Sequence, residues 1–157
     1  MTRAAEEAVN LWALASTQYP SQNQLILAIA TRTTIEVASA FALNARRACE
    51  VLPRTTKFQL KGPRWKWSPI SGHVVVDDLW DALNRIIHAQ KLVVGFESLP
   101  SSMAVVEGGA RVIPYIQAQT DHKPMAFIDL FALSHAYLYE AYPHLSKLAN
   151  DTRSSPT

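Results

Sequence analysis

Between Pro20 and Pro53 the chain contains neither proline nor glycine. The stretch is rich in alanine, and Leu25, Ile26, Ile29, Ile35, Ala38, Phe41, Leu43 and Ala45 surround most of a helical projection. A helix apolar on nearly every side must touch several neighbours, so it has to lie centrally. Everything else in the fold is then constrained to pack around it. Ser21 followed by Gln24 matches a capping box, in which each side chain satisfies an orphan backbone donor near the start of the helix. The spacing predicts helix to about residue 51, with Pro53 marking the stop. Thr31, Thr33 and Thr34 are the places where it would bend or break.

The neighbours are legible in outline. Residues 3–18 repeat apolar positions at threes and fours, with Thr2 as a cap, and Pro20 turns the chain by disfavouring helix at Tyr19. Residues 54–76 are a loop, with short strands expected at 57–60 and 73–76. A helix follows from Asp77 or Asp78 to about Lys91, either aspartate suiting the N-cap. LVVGFE reads as a strand and LPSSMAVVEGGA as a connector. RVIPYIQAQT and MAFI form a β-hairpin across the turn DHKP, with Pro114 confining its strand to an edge or a bulge. Asp129 caps a last helix, which Pro143 ends or kinks. The expected fold class is mainly α (α+β). It is an up-and-down bundle of about four helices with a small β-hairpin insertion, a single domain over 1–148, and a disordered tail over 149–157.

Apolar residues make up 48% of the chain and charged ones 18%, enough for a real core and too apolar for disorder. A formal charge of +2 is too slight to argue for a nucleic-acid partner by itself. The one cysteine, Cys49, excludes an intrachain disulfide and reads as a small buried residue. MTRAAEEAVNLW lacks the apolar segment of a secretory signal. LILAIA, followed by Thr31 and Arg32, is short of the ~20 residues of a membrane span. The expectation is a soluble, cytoplasmic protein with no membrane partner.

The segment most charged with chemistry is ALNRIIHAQK, 82–91. On a helix, Leu79, Trp80, Leu83, Ile86 and Ile87 fall on one broad side, and Asp77, Asp81, Asn84, Arg85 and His88 on the other. Residues 81, 84, 85 and 88 are neighbours in turn, and Asp81 to Arg85 is a favourable ion-pair spacing. Such a patch is either the wet face of an amphipathic helix or a site. Imidazole exchanges protons near neutral pH, arginine holds phosphate, and asparagine orients either partner.

LNRIIHA in this setting resembles the HEPN superfamily, compact helical bundles that are commonly dimeric. Many are metal-independent RNases of toxin–antitoxin, CRISPR-linked or phage-defence systems. The family signature is an arginine, often followed by a polar residue such as asparagine, and then a histidine. Asn84 matches the polar residue and His88 the histidine. Leu83 stands where the family has arginine, and Arg85 lies two residues further on. The resemblance implies RNA cleavage through the ribose 2′-OH. His88 would be the acid or base, Arg85 would neutralise the phosphate and Asn84 would orient groups, without metal or cofactor. It also implies a homodimer and a protein partner such as an antitoxin. If the missing arginine is decisive, it implies a non-catalytic relative that binds a partner or a nucleotide.

Two further readings stay open. In KGPRWKWSPISGH, basic residues interleave with indoles, so Arg64, Trp65, Lys66 and Trp67 could hold a nucleic acid by charge and stacking. The alternative is a loop pinned to the body by its tryptophans. Tyr139 and Tyr142 with Leu138 suit either a groove or dimer surface or the core rim. No His-Glu-x-x-His or cysteine pair suggests a metal, Gly108-Gly109 is a lone doublet, and Ser134 sits in no nucleophile elbow. From a different functional class, the chain would be a non-enzymatic helical protein–protein interaction module.

Overall fold

The long helix forms as one piece. The protein was analysed as a computed structural model that describes residues 1–62, 64 and 67–154. Helix α2 spans Gln24–Cys49 without a break, and Thr31 returns its hydroxyl to the Leu27 carbonyl at 2.8 Å. Its cap is Asn23, whose side chain accepts from the Ile26 amide at 3.0 Å, not the expected Ser21–Gln24 box. Ser21 is drawn away because its own amide donates to the Gly109 carbonyl. Leu27, Ala30, Ala38, Phe41, Ala42 and Ala45 are buried, while Leu25, Ile29 and Leu43 are exposed. By length and composition α2 is long and apolar enough to cross a membrane, which corrects the expectation that no stretch is. A core helix of a folded domain passes the same test, and α2 packs its alanine-rich side on α1 (Thr2–Ser16) and α3 (Leu79–Ile87). Helix α1 begins at Thr2 itself, so Met1 holds the cap position and Thr2 does not.

The strands do more than decorate a bundle. Strands β1 (Tyr19–Pro20), β2 (Val74–Val75), β3 (Lys91–Ser98), β4 (Ala110–Gln119) and β5 (Ala126–Asp129) form one five-stranded sheet. Only β2 and β5 run parallel. The class is α+β, and Ile113, Ile116, Ala126 and Ile128 enter the same core as α1 and α2. The expected hairpin is β4–β5, but β3 and β1 also pair with β4, which becomes the centre of the sheet instead of an inserted edge. Pro114 survives there because the register slips: Gly95 faces Tyr115 and Glu97 faces Val112, so two β4 residues oppose Phe96. That is a bulge, where a missing N–H costs no ladder bond. The strand expected at 57–60 reduces to a bridge between Gln59 and Asp78.

Asp129 ends β5 and caps α4 (Leu130–His135), accepting from the Ala132 amide at 2.8 Å. The helix widens to a π-helical turn over Ala136–Ala141 and resumes as α5 (Tyr142–Ser154). Pro143 therefore neither ends the helix nor breaks it. Its ring would clash with the carbonyl four residues back, and the wider turn just before it absorbs that conflict. The tail expected from 149 is helical as far as Ser154, and 155–157 lie outside the described residues.

Candidate functional site

Helix α3 is short and strongly two-sided. Asp78 caps it, accepting from the Asp81 amide at 3.0 Å. Leu79, Ala82, Leu83 and Ile86 are buried, so the position at which the HEPN arginine would stand is core. His88 terminates the helix and its side chain is exposed.

Asn84, Arg85 and His88 line one cleft of about 580 Å³, together with Arg46 from α2 and Thr120, Asp121, His122 and Lys123 from the β4–β5 turn. Three of these residues are cationic (Arg46, Arg85 and Lys123) and Asp121 is anionic, while Asp81, outside the lining, pairs with Arg85 and Lys123. The turn itself is built by Thr120, whose hydroxyl accepts from the amides of His122 and Lys123 at 3.2 and 3.0 Å.

The cations are not equivalent. Arg85 is 8% exposed. Its Nε donates to Asp81 at 3.0 Å and a terminal nitrogen donates to the Pro124 carbonyl at 2.9 Å. It ties the turn to α3 through these two bonds. Lys123 also reaches Asp81, closing a triangle of two cations on one carboxylate. Burial alone would raise the Asp81 pKa. The hydrogen bonds and charges of Lys123 and Arg85 outweigh it and hold the carboxyl below the ordinary aspartate value. Arg46 is freer. Its Nε donates to Asn84 Oδ1 at 3.1 Å, its guanidinium lies 4.5 Å over the Trp80 ring, and Glu50 is a loose partner at 3.7 Å. Among the described residues the His88 imidazole has no hydrogen-bond partner, and His122 has only the neighbouring Asp121, at 3.0 Å.

The loop 54–76 is organised differently. Trp67 donates its indole N–H to Asp129 at 2.8 Å, and its ring lies against Tyr115 and Phe127 at 4.5 and 5.0 Å. It pins the loop to the sheet, and its ring is already occupied. Arg64 is exposed and donates to the Leu60 carbonyl at 2.6 Å. Trp65 and Lys66 lie outside the described residues. Burial raises the Asp129 carboxyl despite the hydrogen bonds from Ala132 and Trp67. Cys49 is buried, and burial pushes its thiol up to about 11, which leaves it a poor nucleophile. Among the described residues no three histidine, cysteine or acidic side chains gather as a metal would need.

Five of the lining residues, Arg46 and the run from Thr120 to Lys123, escaped the sequence reading. Arg46 belongs to a helix read as core, and His122 and Lys123 to a segment read only as a turn. The available signal was the pair Arg46-Arg47 near the end of an alanine-rich helix and the cluster DHK between two strands. No protein-family model, curated protein or solved structure matches the chain.

Proposed function

We propose that the cleft is an RNA-cleaving site that works without metal, in a HEPN-like protein whose helices correspond to the bundle and whose sheet elaborates it. The observation that carries the proposal is the convergence of two imidazoles, His88 and His122, with Arg46, Lys123 and Asn84 on one cleft. Cleavage by an internal ribose needs one group to take the proton of the 2′-OH as its oxygen attacks phosphorus. It needs another to give a proton to the 5′-oxygen as the P–O5′ bond breaks, leaving a 2′,3′-cyclic phosphate. Imidazole serves either role near neutral pH. In this reading Arg46 and Lys123 face the phosphate charge, and Asn84 holds Arg46 in place. Arg85 becomes a positioning residue, because it is buried and bound to Asp81 and the Pro124 carbonyl. The proposal extends to a cytoplasmic homodimer held in check by a protein partner.

The test is incubation of the purified protein with mixed RNA in EDTA, beside His88→Ala and His122→Ala. Cleavage that survives chelation and ends in cyclic phosphate, with each variant at least a hundredfold slower, is the expected outcome. A folded wild-type protein that leaves RNA intact sinks it. A non-enzymatic interaction module would then take precedence. One observation favours that second reading: an apolar groove of about 340 Å³ between α1 and the π turn, with Val9, Trp12, Leu138 and Tyr139 in its walls.

A further inference from the structure

A second cavity, of about 570 Å³, adjoins the first and shares Arg46 and Asn84 with it. Its other walls are Leu52, Arg54, Trp80 and Glu50. The two cavities thus lie on either side of one hydrogen-bonded pair, Arg46–Asn84. From this geometry we infer that the second cavity is a subsite for the next nucleotide of a single-stranded RNA, a reading that rests on the proposed RNA chemistry of the first.

The chemistry of the walls fits one nucleotide. Leu52 is 5% exposed and forms an apolar floor. Trp80 is fixed in orientation by its N–H, which donates to the Thr56 carbonyl at 3.0 Å, and its ring is covered on one side by Arg46. A base stacks on indole or on a guanidinium plane irrespective of its sequence. Arg54 is exposed on the chain just beyond α2, so its charge is open to a phosphate at the rim. Arg46 sits at the junction with its side chain one-third exposed, placed to contact the phosphate linking the two nucleotides. Its anchors to Asn84 and Trp80 spare most of the ordering cost on binding. A mononucleotide would fill one cavity only, and a duplex would not expose a base to Trp80. Single-stranded RNA of two nucleotides or more is the ligand that uses both.

The experiment is fluorescence anisotropy with labelled 2′-O-methyl RNA of one, two and four nucleotides, which lacks the attacking hydroxyl and so binds uncut. Affinity should rise at least about tenfold from one nucleotide to four, the combined gain of one stacked base and a further phosphate contact at Arg54. Arg54→Ala should remove the phosphate share of that rise and flatten the salt dependence of the four-mer by roughly 0.7 in log–log slope. Arg54→Lys should restore much of it. Trp80 lies on the edge of the core, so Arg54, which is exposed, is the variant that keeps folding out of the question. Equal affinity at every length overturns the subsite. So does a length dependence indifferent to Arg54. Ordinary RNA run in parallel separates the two ideas. Cleavage without length dependence retains the nuclease and removes the subsite. Arg54-dependent gain without cleavage retains the subsite and removes the nuclease.

Discussion

Arg85 shows how far a residue's neighbours decide its meaning. The helical projection puts it on the polar side of α3 with His88, where it reads as an ion-pair partner of Asp81 and a charge for a phosphate. The β4–β5 turn packs against that same side, and Arg85 becomes a buried strut between Asp81 and the Pro124 carbonyl. Replacing it with methionine keeps the stem and removes the charge. The Pro124 carbonyl and one side of Asp81 then lose their donor, at about 2 kcal/mol. Urea denaturation should show the Arg85→Met midpoint falling accordingly. His88 is the contrast. It is exposed and has no partner among the described residues, so His88→Ala should leave the midpoint within about 0.5 kcal/mol of wild type. A matching loss in both variants would mean that His88 is structural after all.

Among the elements, the β3–β4 pair has the tightest constraint. Gly95 lies under the Tyr115 ring, and a Cβ there would overlap the ring carbons. The ring in turn meets Trp67 and Phe127, so it cannot swing aside freely. Gly95→Ala should cost about 1–3 kcal/mol through overpacking. In the background of Tyr115→Ala the same substitution should cost much less, a coupling that a double-mutant cycle in urea measures directly. The Trp67–Asp129 bond is a second tie between elements. Asp129→Ala removes the cap of α4 and the acceptor for a half-buried indole, and should lower stability by about 2 kcal/mol. A shift in tryptophan emission should accompany it. These elements were unequally legible. Helix α2, the cap at Asp129, an aspartate cap for α3 at 77 or 78 and the β4–β5 hairpin follow from local spacing, which a chain carries in its own order. Pairing of β3 and β1 with β4 does not, because any half-apolar strand offers the same ladder. The π turn was visible only as the conflict between Pro143 and a helix that otherwise had every reason to continue.

At the scale of the whole molecule, the cleft is a product of tertiary assembly: α2 supplies Arg46, α3 supplies Asn84 and His88, and the turn after β4 supplies His122 and Lys123. The part on α3 was readable because one helical face holds it. The rest was not, since nothing local says that residue 46 meets residue 84, or that residue 123 meets residue 81. The turn is held to α3 largely through Asp81, and this makes the assembly sensitive to acid. The folded Asp81 carboxyl titrates below its unfolded value. Its contribution to stability is therefore complete above the unfolded pKa of about 4 and is lost as pH falls through the lower folded value. Asp129 shifts in the opposite direction, but it is present in wild type and in an Asp81→Asn variant alike, so it drops out of their difference. Urea midpoints of the two proteins should differ most at pH 7, and the gap should close steadily as pH falls below about 4. A gap that stays constant down to pH 2 would show that the carboxylate charge contributes nothing, and that Lys123 and Arg85 hold the turn by packing alone.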